Sequence, residues 1–194
     1  MKGLTPTQTL NGRGLKVLVI HTRWNLEIVN SLTQASVAKL TSLGVLETDI
    51  AVREVPGAFE LPFAAMKLLP GYDAVIAIGV LIKGDTMHFE YISDSTCQGL
   101  MRVGLDAGIP VVLGVLTCLT EEQACLRAGI GGADKKSGHN HGEDWGSAAV
   151  EMTAHLASFF KRGDAAGDAG GVSKAFTLES VSVSIVGFEP LTCW

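Results

Sequence analysis

The sequence has no long hydrophobic run. Although 47% of its 194 residues are hydrophobic, no apolar stretch approaches the roughly 20 uninterrupted residues that a membrane-spanning helix needs. Residues 1–13 are polar and contain neither the apolar core of a secretory signal nor an Arg-rich transit pattern. These absences predict a cytoplasmic protein that does not work at a membrane.

Clustered positive charge is also missing. The formal net charge is −5, and the chain contains no stripe of Lys and Arg of the kind that binds nucleic acid phosphates. Nucleic acid is therefore not the expected partner.

Cysteine is scarce, with four residues in the chain. Cys97, Cys118, Cys125 and Cys193 show no metal-binding spacing and occur without a secretory signal. We therefore expect reduced, mostly buried thiols rather than disulfides.

The length of the chain fits one domain followed by a tail. We predict an N-terminal arm over residues 1–14 and a single domain over 15–162. A Gly- and Ala-rich linker and a C-terminal tail follow over 163–194, and we assign them no function.

Four short segments that resemble strands alternate with stretches of helical periodicity. The segments cover residues 15–20, 49–55, 73–79 and 110–116, and 73–79 is the most apolar of them. Continuous hydrophobicity such as that of 15–20 is typical of a strand buried on both faces. The helical stretches cover 26–43, 58–69, 88–107, 120–128 and 145–160. This alternation predicts an α/β fold, a flavodoxin-like three-layer sandwich with a four-stranded parallel sheet and helices on both faces. An additional N-terminal strand at a sheet edge stays open, and the Gly- and Lys-containing loop over 129–138 is expected to be mobile.

Three short segments stand out against this pattern. They are residues 55–60 (VPGAFE), 84–89 (GDTMHF) and 139–146 (HNHGEDWG), and the first two lie between a predicted strand and a predicted helix. Ligands bind at such turns in open parallel sheets. These segments therefore predict a binding site at one edge of the sheet.

The second segment combines features of anion binding and proton transfer. The imidazole of His88 can act as a general acid or base, a role worth roughly 10² to 10⁴ in rate. Gly84, Asp85 and Thr86 precede it at a predicted helix start, where backbone N–H groups and the Thr86 hydroxyl can bind a phosphate. The alternatives are a helix-capping His and an ordinary capped turn.

Residues around the other turns favour a flat, hydroxylated ligand. The carboxylate of Glu60 can accept hydrogen bonds from a polyol, beside an apolar wall from Phe59. Trp24, which follows the first predicted strand with Asn25, can stack on a heterocycle. The alternatives are a first-turn Glu favoured by the helix dipole and an aromatic that covers the sheet edge.

Two further sets of polar residues have competing interpretations. The fork of Arg127 suits phosphate, although a cation at a helix C-terminus is equally ordinary. His139 and His141, with Glu143 and Asp144, suggest a metal site, but no matching pair of ligands is visible elsewhere in the sequence. We therefore do not expect a metal.

Several motifs in order resemble the lumazine synthase family, over about residues 15–160. They are Arg23-Trp24-Asn25, VPGAFELP from Val55, IGVLIKGDTMHFEYI from Ile78, PVVLGVLT from Pro110, TEEQA from Thr120 with Arg127-Ala128-Gly129, and GHNHGEDWGSAAVEM from Gly138. The forms around Trp24 and His139 are most similar to fungal members. The resemblance implies condensation of 5-amino-6-(D-ribitylamino)uracil with 3,4-dihydroxy-2-butanone 4-phosphate to 6,7-dimethyl-8-ribityllumazine, the penultimate step of riboflavin biosynthesis. It also implies no cofactor and no metal, and a homopentamer with active sites between adjacent subunits.

The resemblance assigns roles position by position. It implies that His88 is the catalytic proton-transfer residue. The pyrimidine and ribityl chain are then expected at Trp24, Ala58, Phe59, Glu60, Val80, Leu81 and Ile82, with Leu113 of a neighbour covering the ring. The phosphate is expected at Asp85, Thr86 and Arg127, and Asn25, Gly84 and His141 are additional candidates, His141 standing where many bacterial members have Lys. Riboflavin binding is a further expectation, and a flavin-binding module without turnover or a structural shell protein are the competing functions.

Overall fold

The computed structural model describes residues 9–165, and the side chains of residues 9–156. Most of the predicted arm, nearly all of the predicted tail, and Cys193 lie outside the described residues, as does any N-terminal strand before residue 9. Within residues 9–165, Cys97, Cys118 and Cys125 are free thiols, of which Cys118 is buried and the other two are partly buried.

The four predicted strands form one parallel sheet. The strands are β1 (Val17–Thr22), β2 (Ile50–Val55), β3 (Ala74–Ile82) and β4 (Val111–Cys118), and their order is β2-β1-β3-β4. In the register, Thr22 pairs with Val55 and Ile82 with Cys118. The carboxyl ends of all four strands therefore lie at the same edge, in the strand order of flavodoxin-like folds.

Five α-helices connect and flank the strands. They are α1 (Leu26–Ser42), α2 (Leu61–Leu68), α3 (His88–Ala107), α4 (Glu121–Arg127) and α5 (His141–Ala165). A 3₁₀ turn (Glu47–Asp49) precedes β2 and another (Ala58–Glu60) precedes α2. The predicted helix over 58–69 is thus a 3₁₀ turn followed by an α-helix, with Pro62 in the first helical turn, where its missing N–H costs nothing.

The last helix begins four residues earlier than the apolar periodicity indicates. Its first residue is His141 instead of Trp145. The Oδ1 atom of Asn140 accepts a hydrogen bond of 2.9 Å from the N–H of Gly142 and caps the helix. The start is therefore set by a polar cap, which hydrophobic spacing does not reveal.

Both faces of the sheet are buried. Side chains of Val17, Val19, Ile76 and Ile78 pack with α1, α4 and α5, and their neighbours along the strands pack with α2 and α3. Parallel strands covered on both sides lose the polar alternation of half-exposed strands. This explains the continuous apolar runs and confirms the predicted three-layer sandwich.

Helices α1 and α5 approach each other through two glycines. A Cβ at Gly142 would lie 2.2 Å from Leu32 O, and one at Gly146 would lie 2.9 Å from Ser36 O. The Ser36 hydroxyl also lies 3.0 Å from Gly142 O. Because the obstructing atoms are backbone carbonyls, they cannot move aside without shifting a helix.

We therefore expect Gly142→Ala to lower the free energy of unfolding by about 1–3 kcal/mol through overpacking. Gly84→Ala is the matched control, since nothing lies within 4 Å of its added methyl group. Urea denaturation of both variants measures the difference. Equal stability of the two variants would contradict the close α1–α5 contact.

Candidate functional site

A cavity of about 480 Å³ opens beside the carboxyl ends of β1, β2 and β3. This volume lies in the range of small-molecule binding sites. All the residues predicted to hold the pyrimidine and ribityl chain line it, except Leu113. They are Trp24, Ala58, Phe59, Glu60, Val80, Leu81 and Ile82, and they are joined by Asn25 and His88.

The turn after β1 places an aromatic ring at the mouth of the cavity. Asn25 adopts the left-handed conformation, with φ 56° and ψ 49°, which Asn tolerates better than most residues. Its Nδ2 atom donates a hydrogen bond of 3.1 Å to Val80 O and so ties the turn to β3. Trp24 is 73% exposed and its indole lies beside Gly57. The ring is therefore free to meet a flat ligand.

The turn after β2 is hydrogen-bonded to α3. The buried hydroxyl of Thr96 donates a hydrogen bond of 3.1 Å to Ala58 O. The N–H of Glu60 donates to Gly57 O at 3.3 Å, which closes the turn and leaves the Glu60 carboxylate at the surface of the cavity. An exposed carboxylate in this place can accept hydrogen bonds from ligand hydroxyls.

The turn after β3 carries His88 as the first residue of α3. The Thr86 hydroxyl oxygen accepts a hydrogen bond of 3.4 Å from the His88 N–H. The Thr86 side chain thus contacts the backbone at the start of α3, whose N-cap residue is Met87 and has no side-chain cap. The imidazole of His88 lines the cavity from the rim.

An ion pair braces this third turn. Lys83 bonds to Glu90 of α3, and this hydrogen bond lowers the pKa of the Glu90 carboxyl. The N–H of Lys83 donates to Cys118 O of β4 at 2.9 Å. Both ends of the segment over 84–87 are therefore attached to the sheet or to α3.

Three residues that line the cavity are not among the predicted site residues: Thr22, Gly57 and Ile92. Gly57 lies within the segment over 55–60 that the sequence analysis singled out. Thr22 is the last residue of β1, and its buried hydroxyl has no hydrogen-bond partner among the described residues. Its place two residues before Trp24 was an available signal. Ile92 lies one helical turn after His88, a spacing that puts both side chains on the same face.

Arg127 does not line the cavity. Its Nη1 atom donates a hydrogen bond of 3.3 Å to Gln123 O in its own helix. That helix has the predicted cap, because the hydroxyl of Thr120 accepts from the N–H of Gln123 at 3.3 Å. In the single chain, Arg127 is therefore a cation at a helix C-terminus that donates to a carbonyl of its own helix.

His139 and His141, in the segment over 139–146, both contact the carboxylate of Asp144. Asp144 Oδ2 lies 2.8 Å from His139 Nε2 and 3.3 Å from His141 Nδ1, and the two rings are edge-on, with centroids 5.3 Å apart. Among the described residues, no group of three His, Cys, Asp or Glu side chains is arranged to hold a metal ion. The cluster therefore offers hydrogen bonding and charge.

The pKa of His141 is lowered, mainly by burial of the ring. Asp144 opposes this effect and raises the pKa, whereas His139 and Arg127 lower it. The influence of Arg127 shows that this imidazole and the guanidinium lie in the same neighbourhood. This lowering favours the neutral form of the His141 ring.

The remaining predicted residues lie outside the cavity. Gly84, Asp85 and Thr86 do not line it, although they lie two to four residues before His88 in the chain. Leu113 is 46% exposed on β4, an edge strand of the sheet. Among the described residues, one chain brings together the predicted pyrimidine and ribityl contacts but not the predicted phosphate contacts.

Comparison with known sequences identifies the family. The sequence profile of the 6,7-dimethyl-8-ribityllumazine synthases matches residues 14–157. The chain belongs to this family. Its activity is accordingly lumazine formation in riboflavin biosynthesis, the work of a transferase.

Relatives from fungi and bacteria carry the same name. The 6,7-dimethyl-8-ribityllumazine synthase of Schizosaccharomyces pombe is 52% identical over 78% of this chain and 94% of its own length. That of Pyricularia oryzae is 45% identical over 78% and 92%. A bacterial lumazine synthase, from Streptomyces coelicolor, is 41% identical over 81% and 94%.

The opposed influences on His141 give a titration test. We expect its imidazole to titrate below the ordinary value of about 6.5. Asp144→Asn removes the carboxylate that raises the pKa of His141 and should lower that pKa further, whereas His139→Gln removes a ring that lowers it and should raise it. Histidine ring proton shifts in NMR measure all three. Shifts of the same sign in both variants would contradict this account of the cluster.

Proposed function

We propose that the cavity beside β1, β2 and β3 is the pyrimidine-binding part of a lumazine synthase active site. The observation that carries this proposal is that Trp24, Glu60, His88 and the end of β3 all line one cavity. These groups come from turns far apart in sequence. Together they supply an aromatic face, a carboxylate and a titratable base, which a ribitylated pyrimidine requires.

The ring and its chain are recognised by different walls of the cavity. The indole of Trp24 stacks on the pyrimidine, and Val80, Leu81 and Ile82 line its edge through backbone and apolar contacts. The carboxylate of Glu60 accepts hydrogen bonds from the ribityl hydroxyls. Ala58 and Phe59 enclose the junction between ring and chain. Riboflavin, which also has a flat ring system and a ribityl chain, is expected to occupy the same cavity.

His88 moves the protons of the reaction. The 5-amino group attacks the ketone of the butanone phosphate, and loss of water gives an imine. A proton then leaves the carbon chain as the phosphate is eliminated, and a proton is returned before ring closure releases a second water. A single imidazole at the rim can serve each transfer in turn. Much of the rate comes from holding two substrates in one cavity.

A neighbouring subunit supplies the phosphate-binding groups that this cavity lacks. Arg127 and His141 would stand opposite Gly84, Asp85 and Thr86, where they stabilise the charge that develops as phosphate leaves. Leu113 of the same neighbour would cover the ring. The support for this arrangement is that Leu113, Arg127 and His141 do not line the cavity of their own chain.

Large exposed apolar side chains support self-association. They include Phe63 and Met66 of α2, Tyr91 of α3, Leu113 of β4 and Met152 of α5. Exposed apolar surface of this kind marks contact sites. We propose that the copies pair head to tail and close into a ring, a homopentamer.

The location of the protein stays a prediction of the sequence. No helix among the described residues is long and apolar enough to cross a membrane. We propose a cytoplasmic enzyme whose partners are its own copies and small molecules, without nucleic acid.

His88→Ala tests the central role. We expect turnover to fall by roughly 10- to 10³-fold with little loss of pyrimidine affinity, because proton transfer is one part of the catalysis. Lumazine absorbance after mixing the two substrates measures turnover, and titration of Trp fluorescence measures affinity. His155→Ala, an exposed site on α5, is the control and should keep full activity. Activity of His88→Ala within twofold of wild type would refute the assignment.

A further inference from the structure

The side chain of Asn140 joins three segments of the chain. Its Nδ2 atom donates a hydrogen bond of 2.8 Å to Ala128 O and lies 3.1 Å from the hydroxyl and 3.2 Å from the carbonyl oxygen of Ser31. Its Oδ1 atom accepts from the N–H of Gly142 at 2.9 Å. One amide therefore connects α1, the end of α4 and the start of α5.

Two of these segments, the end of α4 and the start of α5, each carry a predicted phosphate-binding residue. Arg127 directly precedes Ala128, and His141 directly precedes Gly142. Ala128 O also accepts a hydrogen bond of 2.8 Å from the Ser31 hydroxyl. A backbone bridge between Ala128 and Asn140 pairs the two segments. One amide and one hydroxyl hold this pairing against α1 and the start of α5.

The loop over 129–138, between these segments, is closely packed. A Cβ at Gly138 would lie 1.9 Å from Leu126 O, and one at Gly129 would lie 3.2 Å from the Cβ of Asn140. Gly131 and Ser137 exchange backbone hydrogen bonds of 2.8 and 2.9 Å. Asn140 is therefore packed directly against the turn that follows Arg127.

A separate contact attaches the far end of this loop to α1. Lys135 Nζ lies 2.5 Å from Glu27 Oε1, in the first turn of that helix. The loop therefore contacts α1 through Lys135, and the segments at its two ends contact α1 through Ser31. Helix α1 begins immediately after Trp24 and Asn25. Movement of Arg127 relative to His141 requires the Asn140 contacts to break.

We propose that Asn140 is a positioning residue for phosphate recognition, which holds Arg127 and His141 in fixed relation through Ala128 and Gly142. The proposal rests on the phosphate-binding role given to Arg127 and His141 above. Donors fixed before the substrate arrives need no rearrangement as charge develops on the leaving phosphate. Asn140 itself touches no substrate in this account.

Asn140→Ala tests the proposal in the full-length enzyme. Loss of the four side-chain hydrogen bonds of Asn140 loosens the two segments. We expect KM for the butanone phosphate to rise about 10-fold, with kcat also lowered. KM for the pyrimidine should stay within about twofold, because the cavity around Trp24 is built from other elements. A residue with a purely structural role would change both KM values together. Equal changes in both, or no change in either, would overturn the proposal.

Ser31 supplies a milder variant of the same perturbation. Ser31→Ala removes the hydroxyl that bonds Ala128 O, and we expect a smaller rise in KM for the butanone phosphate, about threefold. Ser31→Thr keeps the hydroxyl and should restore the wild-type value. These variants decide the question even if Asn140→Ala does not fold. A rise that Ser31→Thr fails to reverse would contradict the role of the hydroxyl.

Arg127→Ala separates failure of this proposal from failure of the proposed phosphate role. If Arg127→Ala raises KM for the butanone phosphate while Asn140→Ala and Ser31→Ala do not, only the positioning role is wrong. If Arg127→Ala leaves that KM unchanged, the phosphate role itself is wrong, and the positioning role falls with it.

Discussion

Parallel pairing of all four strands is the constraint on which the site depends. Because the strands run the same way, the turns after β1, β2 and β3 meet at one edge, although they are separated by some thirty residues along the chain. Hydrogen bonds from Asn25 to β3 and from Thr96 to Ala58 then fix two of these turns. The cavity is thus a consequence of strand direction and of a few polar anchors beneath it.

On the opposite face of the sheet, α1, α4 and α5 pack closely together. The side chains of Ser31, Ser36 and Asn140 donate hydrogen bonds to backbone carbonyl groups at the ends of α4 and α5. Buried polar groups must be paired, so this junction tolerates little change. It also bears Arg127 and His141, so the packing of these helices positions the two proposed phosphate-binding residues.

Much of the fold could be predicted from the sequence, because its strongest signals are local. Continuous apolar runs indicated the doubly covered strands, and Thr120 with Gln123 indicated the cap of α4. The start of α5 could not be found in this way, since Asn140 sets it by a side-chain hydrogen bond. The loop over 129–138 was expected to be mobile, whereas the structure closes it with the Gly131–Ser137 pairing and joins Lys135 to Glu27. That ion pair links residues 108 positions apart, beyond the reach of local patterns.

In the candidate site, too, some residues were indicated by the local sequence and others were not. Residues next to strand ends, such as Trp24, Glu60 and His88, were found because turns after parallel strands converge. Thr22 was missed because a strand-terminal threonine resembles ordinary core. Leu113 and Arg127 were named only through family resemblance, since nothing in their local sequence relates them to the cavity.

The central claim is that each active site combines the cavity of one subunit with Arg127 of the next. Coexpression of His88→Ala and Arg127→Ala chains with different tags, followed by isolation of mixed oligomers, tests it most directly. With random neighbours in a ring, about a quarter of the sites have both native residues, and we expect about a quarter of wild-type activity. If His88 and Arg127 acted within one chain, every site would lack one of them. Mixed oligomers no more active than the two separate variants would contradict the shared site.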